Sequence, residues 1–292
     1  MAQVLAVDIG GTKLAAGLVD DEGRLRSQVV RPTPSGSDAE AVLAAVVAVA
    51  TEARDGGEAA CGVGCGGPME RAGEAVSPLN IGAWRGFPLR ARLAEALGLS
   101  VHVDNDAKAL ALGEGWTGAA AGHRDFLAMV VSTGVGGGIV LDGRLLDGAA
   151  GNAGHIGHVI VEPEGRRCPC GARGCLEAEV SGTAIAARTG RPAADAPTDE
   201  RHRAGRLVGR AVGSVTNLLD LPLTVVAGSV ALGFGDDFFG PAQAELDRTA
   251  RLEFARGARI VPAGLGGDGP LVGAAAVAWR ALGHDLAGEG QR

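Results

Sequence analysis

Two stretches of this chain repeat the same local pattern. Residues 5–25, LAVDIGGTKLAAGLVDDEGRL, are echoed by residues 127–146, LAMVVSTGVGGGIVLDGRLL. Each copy reads as an apolar strand, a glycine-rich turn, a second apolar strand, an acidic-Gly turn and Arg-Leu. Such an echo indicates a duplicated α/β unit whose copies each present a glycine hairpin to a cleft between them. A chance similarity is the alternative, because glycine-rich hairpins are common.

Apolar runs and helical periods alternate along the rest of the chain. Strands are predicted at 4–7, 14–19, 60–64, 101–103, 223–226 and 258–261. Helices are predicted at 88–97, 107–115, 204–219 and 270–282, and a capping box of Ser37 and Glu40 opens a further one that ends near Arg54. This alternation is typical of an α/β sheet with parallel members. We expect a small α/β domain over 1–105, joined by the C-terminal helix over 270–285, and a larger one over 106–269.

Composition narrows the classes of partner and compartment. The 292 residues are 46% hydrophobic, enough for one large or two moderate cores. There are 34 acidic and 27 basic residues, a net charge of -7, and no Lys/Arg block, which disfavours nucleic acid and anionic membranes and favours a small ligand. No apolar run reaches the roughly 18 to 20 residues of a membrane span, and Asp8 interrupts what would be a signal-peptide core. We therefore expect a cytoplasmic protein.

Both glycine-rich turns suit phosphate. Backbone N–H groups in such a turn can approach phosphate oxygens without obstruction by side chains. The first turn, DIGGTK, adds the acid Asp8, the hydroxyl of Thr12 and the cation Lys13, a set suited to Mg²⁺-phosphate. Its spacing is neither that of a Walker A loop nor that of a Rossmann turn. The alternative is that Asp8 and Lys13 are solvated turn residues. The residues expected to face phosphate in the two turns are Asp8, Gly10, Gly11, Thr12, Lys13, Thr133 and Gly134.

A cluster of cysteines and histidines in GHIGHVIVEPEGRRCPCGARGC, residues 154–175, predicts a metal site. The expected ligands are His158, Cys168, Cys170 and Cys175. Three thiolates and one imidazole complete a tetrahedral Zn²⁺ site with no vacant position, which is the mark of a structural site. A disulfide between Cys168 and Cys170 would close a small, strained ring, and free thiols would leave the clustering unexplained. The other two cysteines, Cys61 and Cys65, are interpreted as small core residues.

Five motifs together resemble a known family. DIGGTK, VDNDA, STGVGGG, GHIGH and CPCGARGCLEA occur in the order and spacing of the ROK family of repressors, open reading frames and sugar kinases. The resemblance runs from residue 4 to about residue 283. It implies the duplicated actin/hexokinase-like (ribonuclease H-like) fold, with two domains around a cleft, and ATP-dependent phosphorylation of a hexose.

The resemblance assigns the catalytic base to Asp106 in VDNDA. Asn105 and Asp106 follow a buried strand, so both side chains would emerge at its carboxyl end, where ligand sites of α/β proteins lie. The carboxylate would take the proton of the sugar hydroxyl, while the amide of Asn105 would hydrogen-bond another hydroxyl. The alternative is that Asp106, or Asp104 in its place, caps the helix over 107–115.

Further site residues are also implied by the resemblance. The additional sugar contacts are Gly67, Asn80, His155, His158 and Glu177. Gly228 and Ser229 in AGSVA would lie near the adenosine. Two alternatives stay open, because Glu177 could be a solvated residue of a helical first turn and AGSVA an ordinary turn between a strand and a helix.

His155 departs from the pattern of many ROK glucokinases, which carry Glu at that position. GHIGH, together with PLNIGAWRGFPL, VVAGSVAL and DGPLVGAA, is similar to the N-acetylmannosamine kinases of the family. A neutral imidazole both donates and accepts hydrogen bonds whereas a carboxylate only accepts, so the sugar substituent preferred there should change. His155 could instead contact glucose through water or a rearranged loop.

The expected activity is thus phosphorylation of a hexose at its 6-hydroxyl, with N-acetylmannosamine as the substrate and glucose as the alternative. A non-enzymatic, sugar-sensing regulator is a third reading. It is disfavoured because DIGG begins at Asp8, which leaves no room for a preceding DNA-binding domain. The resemblance also implies a dimer or tetramer, and leaves open whether ATP or polyphosphate is the donor.

Overall fold

The computed structural model describes residues 2–34, 36 and 38–286. They fall into two compact units. The first comprises the described residues up to Gly122, the segment 145–153 and the residues from Gly264 onward, and the second comprises 123–144 and 154–263. This division differs from the expected boundaries at 105/106 and 269/270, since residues 106–122, 145–153 and 264–269 all belong to the first unit.

A five-stranded sheet forms the centre of the first unit. Its strands are β1 (Gln3–Ile9), β2 (Lys13–Asp20), β3 (Leu25–Pro32), β4 (Glu58–Cys65) and β5 (Val101–Asn105), in the order β3-β2-β1-β4-β5. β1 and β2 form the antiparallel hairpin of the first repeat, and β4 and β5 continue the sheet in parallel with β1. β3 was not predicted, because this edge strand is largely exposed and carries polar residues.

Four helices belong to this unit: α1 (Ala39–Ala53), α2 (Leu89–Leu97), α3 (Asp106–Trp116) and α9 (Gly269–Ala281). The predicted capping residue Ser37 lies outside the described residues. Asp38 caps α1 instead, because its carboxylate accepts a hydrogen bond from the Ala41 N–H at 2.8 Å. Gly98 ends α2 in the left-handed conformation that glycine adopts without steric cost.

Helix α3 belongs with the first sheet because it packs closely on α9. A Cβ added to Gly113 of α3 would lie 2.9 Å from the backbone nitrogen of Gly273 in α9, a separation that only glycine permits. The buried carboxylate of Glu114 also accepts hydrogen bonds from the N–H groups of Gly264 and Leu265, at 3.0 and 3.1 Å. These contacts hold the returning chain against the end of α3.

The second sheet repeats the topology of the first. Its strands are β6 (Phe126–Val131), β7 (Val135–Leu141), β8 (Arg144–Leu145), β9 (Leu223–Ala227) and β10 (Arg259–Pro262), in the order β10-β9-β6-β7-β8. β6 and β7 form the second hairpin, and β9 and β10 run parallel to β6. Each strand therefore has the neighbours of its counterpart in the first sheet, and the predicted duplicated α/β fold is confirmed.

The helices of the second unit are α4 (Leu176–Val180), α5 (Gly182–Thr189), α6 (Thr198–Leu219), α7 (Ser229–Phe234) and α8 (Asp236–Thr249). α6 begins six residues before the predicted start at 204, after Pro197. α6 and α8 pack at short distance, since a Cβ added to Gly205 would lie 2.3 Å from the carbonyl oxygen of Phe238. Across the described ranges, no helix combines the length and the apolarity that a membrane crossing demands.

Candidate functional site

Parallel strands of the first unit end together at one edge of the sheet. Asp8 of β1 pairs in register with Gly64 of β4, which in turn pairs with Asp104 of β5. A Cβ added to Gly64 would lie 3.6 Å from the Cα of Asp106 and 3.8 Å from a carboxylate oxygen of Asp8. The absence of a side chain at Gly64 therefore leaves Asp8 and Asp106 as neighbours at this edge.

Asp8 is buried, with 9% of its surface exposed. Burial, and next the negative charge of Asp106, raise the pKa of Asp8 to about 7, while Lys13 acts in the opposite direction. The same surroundings raise the pKa of the Cys65 thiol well above its usual range, chiefly through burial. Cys61 and Cys65 are both buried in β4 and free of disulfides, so the prediction that they are core residues is confirmed.

Asn105 is the capping residue of α3. Its side-chain oxygen accepts hydrogen bonds from the N–H groups of Ala107 and Lys108, at 3.1 and 3.4 Å. The alternatives in which Asp106 or Asp104 is the cap are therefore wrong, since Asp106 is already the first helical residue. The cap occupies the oxygen of Asn105, so its NH₂ group is the part that can serve a ligand.

Asn80 lies beside the DIGGTK turn and beside the loop that contains Gly66 and Gly67. A Cβ added to Gly11 of DIGGTK would lie 2.8 Å from the Cβ of Asn80, and one added to Gly66 would lie 3.3 Å from its side-chain oxygen. The DIGGTK turn is closed by the N–H of Gly10, which donates to the carbonyl of Lys13 at 3.0 Å. The first unit thus brings together these predicted site residues: Asp8, Gly10, Gly11, Thr12, Lys13, Gly67, Asn80, Asn105 and Asp106.

In the second unit, the second glycine turn and AGSVA form one site. The hydroxyl oxygens of Ser132 and Ser229 lie 3.0 Å apart, and the hydroxyl of Thr183 donates to the carbonyl of Thr133 at 3.1 Å. The hollow at this point has a volume of about 330 Å³. Its lining residues are Ser132, Thr133, Gly182, Thr183, Ala193, Ser229 and Val230.

Gly228 permits this arrangement. Its φ is 101°, and an added Cβ would lie 2.3 Å from the carbonyl oxygen of Val131, so any side chain would push AGSVA away from β6. Sequence reasoning missed Ser132 and Thr183 as lining residues. Ser132 belongs to STGVGGG and could have been found there. Thr183 follows Ser181, which caps α5 through the Ala184 N–H at 3.1 Å, and this local cap signal says nothing about a ligand.

The four predicted metal ligands also converge in the second unit. The ligand atoms of His158, Cys168, Cys170 and Cys175 all lie within 4.8 Å of one another. Cys168 Sγ is 3.7 Å from His158 Nδ1, and Cys170 Sγ is 3.6 Å from Cys175 Sγ. All five cysteines of the chain are free thiols. Three sulfurs and one imidazole nitrogen suit a tetrahedral, borderline-soft cation such as Zn²⁺, so the residues present could hold that metal.

Glu177 connects this cluster to the second glycine turn. It lies in the first turn of α4, two residues after Cys175, and its carboxylate accepts a hydrogen bond from the Val135 N–H at 2.9 Å. The alternative of a purely solvated residue is therefore wrong. His155 is exposed at the start of the short 3₁₀ turn that contains His158, and the centroids of the two rings are 6.0 Å apart.

Comparison with known proteins defines the class. The ROK family model matches residues 4–281, which is nearly the whole chain. This chain therefore belongs to the ROK family, and the predicted membership is confirmed.

Two curated relatives and one solved structure extend this result. The N-acetylmannosamine kinase of Citrobacter koseri is 39% identical over 79% of this chain and 84% of that protein. The glucokinase of Thermotoga maritima is 42% identical over 63% of this chain, and the match spans 58% of that protein's length. A ROK family glucokinase from Streptomyces griseus, solved with glucose and AMPPNP, has a TM-score of 0.83 at 32% identity, covering 94% of this chain and 98% of that one. The actin/hexokinase-like fold is thereby confirmed.

Proposed function

We propose that this protein is an ATP-dependent N-acetylmannosamine kinase that phosphorylates the 6-hydroxyl of the sugar. The observation that carries the kinase assignment is the pairing of Asp8 and Asp106 around Gly64, at the edge of the sheet where the DIGGTK turn begins. It is supported by relatives that are named as sugar kinases and match most of the chain.

In the proposed mechanism Asp106 is the general base. As the 6-hydroxyl oxygen of the sugar attacks the γ-phosphorus, the Asp106 carboxylate accepts the hydroxyl proton and ADP departs with the electrons of the broken P–O bond. The NH₂ group of Asn105 and the side chain of Asn80 would orient other hydroxyls. Such positioning supplies much of the catalysis in phosphoryl transfer, because little covalent chemistry falls to the protein.

Each glycine turn offers groups suited to a nucleotide phosphate or to its metal ion. We assign the hollow at Ser132, Thr133 and Ser229 to the nucleotide, since hydroxyls and backbone N–H groups hydrogen-bond phosphate and ribose. Asp8 and Thr12 would hold Mg²⁺, which when bound neutralises phosphate charge. Without that cation Asp8 titrates near neutral pH, so the nearby carboxylates are not both forced to carry full charge.

We further propose that His158, Cys168, Cys170 and Cys175 hold a structural Zn²⁺. Four protein ligands leave no position for a reacting water, so the metal would shape the protein and take no part in phosphoryl transfer. Its effect would reach the second glycine turn through Glu177, which lies two residues after Cys175 and accepts the Val135 N–H.

N-acetylmannosamine is favoured by His155 in GHIGH and by the relative from Citrobacter koseri. Glucose is the second candidate substrate, favoured by the glucokinases from Thermotoga maritima and Streptomyces griseus. A sugar-sensing regulator without activity is the third candidate, and the paired carboxylates at Asp8 and Asp106 argue against it.

A coupled assay of ADP release separates these candidates. N-acetylmannosamine, glucose and N-acetylglucosamine are offered side by side, with ATP as donor, and sugar phosphate formation is also measured with polyphosphate. Turnover that is fastest with N-acetylmannosamine and ATP supports the proposal. ADP release with glucose alone would make glucose the substrate in place of N-acetylmannosamine. If no hexose gives product with either donor, the kinase function is excluded.

A further inference from the structure

A short loop of the first unit, residues 147–152 (DGAAGN), is bonded to two turns that carry proposed sugar contacts. We call it the strap. It folds back on itself, because the N–H of Ala153 donates to the carbonyl of Asp147 at 3.0 Å, and Gly148 and Gly151 have positive φ angles of 74° and 85°. The strap therefore has a defined path, and its residues are positioned to fix what they contact.

At one end of the strap, Asn152 binds the turn that contains Gly67. Its side-chain oxygen accepts the Met69 N–H at 3.2 Å, and its NH₂ group donates to the Met69 carbonyl at 3.0 Å. One side chain thus satisfies both polar groups of a single residue, as a neighbouring strand would. Gly67, a proposed sugar contact, lies two residues before Met69.

At the other end, Lys108 binds the strap to the turn that contains Asp106. Lys108 is 3% exposed, and its ammonium donates to the Asp147 carboxylate at 2.7 Å and to the Gly151 carbonyl at 3.2 Å. It also pairs with Asp104 at 3.1 Å. A buried ammonium is retained only where such partners compensate its lost hydration. The Lys108 ammonium therefore keeps the strap at one place relative to the start of α3.

A third contact lies between these ends. The Arg71 guanidinium donates to the Ala149 carbonyl at 3.1 Å, and a Cβ added to Gly151 would lie 3.5 Å from the Cα of Arg71. The strap is thus bonded at its start, middle and end to backbone or charged groups of the first unit.

We infer that the strap holds the Gly67 turn and the Asn105–Asp106 turn at a set separation, and that Asn152 is a positioning residue for the sugar. This inference rests on the proposed sugar kinase function. Among the described residues, the Asn152 side chain hydrogen-bonds to backbone groups of Met69 and Ala150, so the role inferred for it is to position the Gly67 turn. Its loss should alter how the sugar is held while leaving the nucleotide hollow of the second unit unchanged.

The test compares Asn152→Ala with the wild-type protein. Loss of the three hydrogen bonds that Asn152 makes to Met69 and Ala150 should raise the KM for the sugar about tenfold and weaken sugar binding in calorimetry without ATP by the same factor. The KM for ATP should stay within about twofold of the wild-type value. Equal rises in both KM values, or a lower Tm with unchanged sugar binding, would reduce Asn152 to a scaffold residue and overturn the inference.

Asn152→Asp gives a second readout that a scaffold role would not produce. The carboxylate would face the carbonyls of Met69 and Ala150, which its protonated form alone can bond. In calorimetry without ATP, the excess of its sugar Kd over wild type should shrink as pH falls from about 7 to about 4, where an aspartate side chain gains its proton, whereas the excess for Asn152→Ala should not change. A pH-independent excess for Asn152→Asp would contradict the hydrogen-bond role.

Asn217→Ala is the matched control. It removes one hydrogen bond to the Thr249 carbonyl in the second unit, so it should lower Tm without changing the sugar KM.

A further variant serves if Asn152→Ala does not fold. Asp147→Asn weakens the exposed end of the strap, and about a threefold rise in sugar KM is expected. An unchanged sugar KM in Asp147→Asn would overturn the inference. Absence of turnover in the wild-type protein would instead defeat the proposed function, and calorimetry would still test the strap.

Discussion

The two repeats have the same strand order but end in different chemistry. In the first unit, β1 carries Asp8 as its penultimate residue, and β5, which runs parallel to β1 on the far side of β4, leads into Asp106. In the second unit, Val130 takes the penultimate place in β6, and the strand is followed by the hydroxyls of Ser132 and Thr133. One copy therefore gathers carboxylates at the strand ends, whereas the other gathers neutral hydroxyl groups.

The two glycine turns also contact different side chains. The first turn lies against the amide of Asn80, and the second is fixed by Glu177, which accepts the Val135 N–H. Glu177 lies two residues after Cys175, so the short helix α4 links the second turn to the cluster of cysteines and His158. Duplication preserved the backbone framework, and the residues at the strand ends determine what each copy does.

The largest expected effect concerns the carboxylates of the first unit. Asp106→Asn should lower kcat by about 10³-fold or more, because an amide cannot accept the hydroxyl proton, while sugar binding is kept. The measurement is kcat in the coupled assay together with calorimetric binding of the sugar. Asp21→Asn, at an exposed turn, serves as the control and should retain full turnover. Near-normal kcat in Asp106→Asn would show that Asp106 is not the catalytic base.

A second prediction uses the raised pKa of Asp8. The folded protein keeps the proton of Asp8 up to pH about 7, whereas the unfolded chain loses it near 3.8, so the unfolded state binds fewer protons between these values. Stability without Mg²⁺ and ATP should therefore fall as pH rises through this window, by as much as about 4 kcal/mol.

Asp8→Asn should remove this component. The free energy of unfolding is measured with denaturant at several pH values between about 4 and about 7. The contribution of Asp8 is the difference between wild type and variant in how steeply this free energy falls with pH. Because Val130 takes the place of Asp8 in the second copy, Val130→Ala is a control that should change stability equally at every pH. Parallel pH curves for Asp8→Asn and wild type would show that Asp8 is ionised throughout the window.

The third prediction concerns the metal cluster of the second unit. Cys170→Ser should reduce bound zinc from about one ion per chain to a small fraction and lower Tm by roughly 5–10 °C, because metal binding and folding are coupled. Cys170 is the exposed cysteine of the cluster, so its replacement leaves the core packing intact. Elemental analysis and thermal unfolding are the measurements, and Cys61→Ala is the control that should retain zinc. Unchanged zinc in Cys170→Ser would remove Cys170 from the ligand set.

The smallest expected effect concerns His155. His155→Glu should shift the ratio of kcat/KM for N-acetylmannosamine over glucose towards glucose by about tenfold, because a carboxylate can only accept hydrogen bonds. The ratio is measured with both sugars in parallel, and His123→Glu, at an exposed position, is the control. A ratio that does not move would mean that His155 does not select the sugar.

Patterns of short range predicted much of this molecule. The two hairpins, the parallel strands behind them and the clustering of His158 with three cysteines all follow from residues that are close together in the chain. The edge strand β3 escaped prediction, because its polar residues give no buried periodicity. The alternative cap of α3 was sought at Asp106 or Asp104, and the structure shows Asn105 instead, since all three are good capping residues and only backbone geometry distinguishes them.

By itself, the sequence determined the duplication and the ROK family membership, and it singled out the four residues of the His/Cys cluster and the candidate base Asp106, because alternation, turn chemistry and motif spacing are local properties. Only the tertiary structure decided the contact between Asn152 and Met69, the ion pairs of Lys108, the hollow beside Thr183 and the division into units. Asn152 and Met69 are 83 residues apart, and the partner is a backbone group that every residue possesses. A hydrogen bond to such a partner leaves no pattern in the sequence, so only the folded chain shows it.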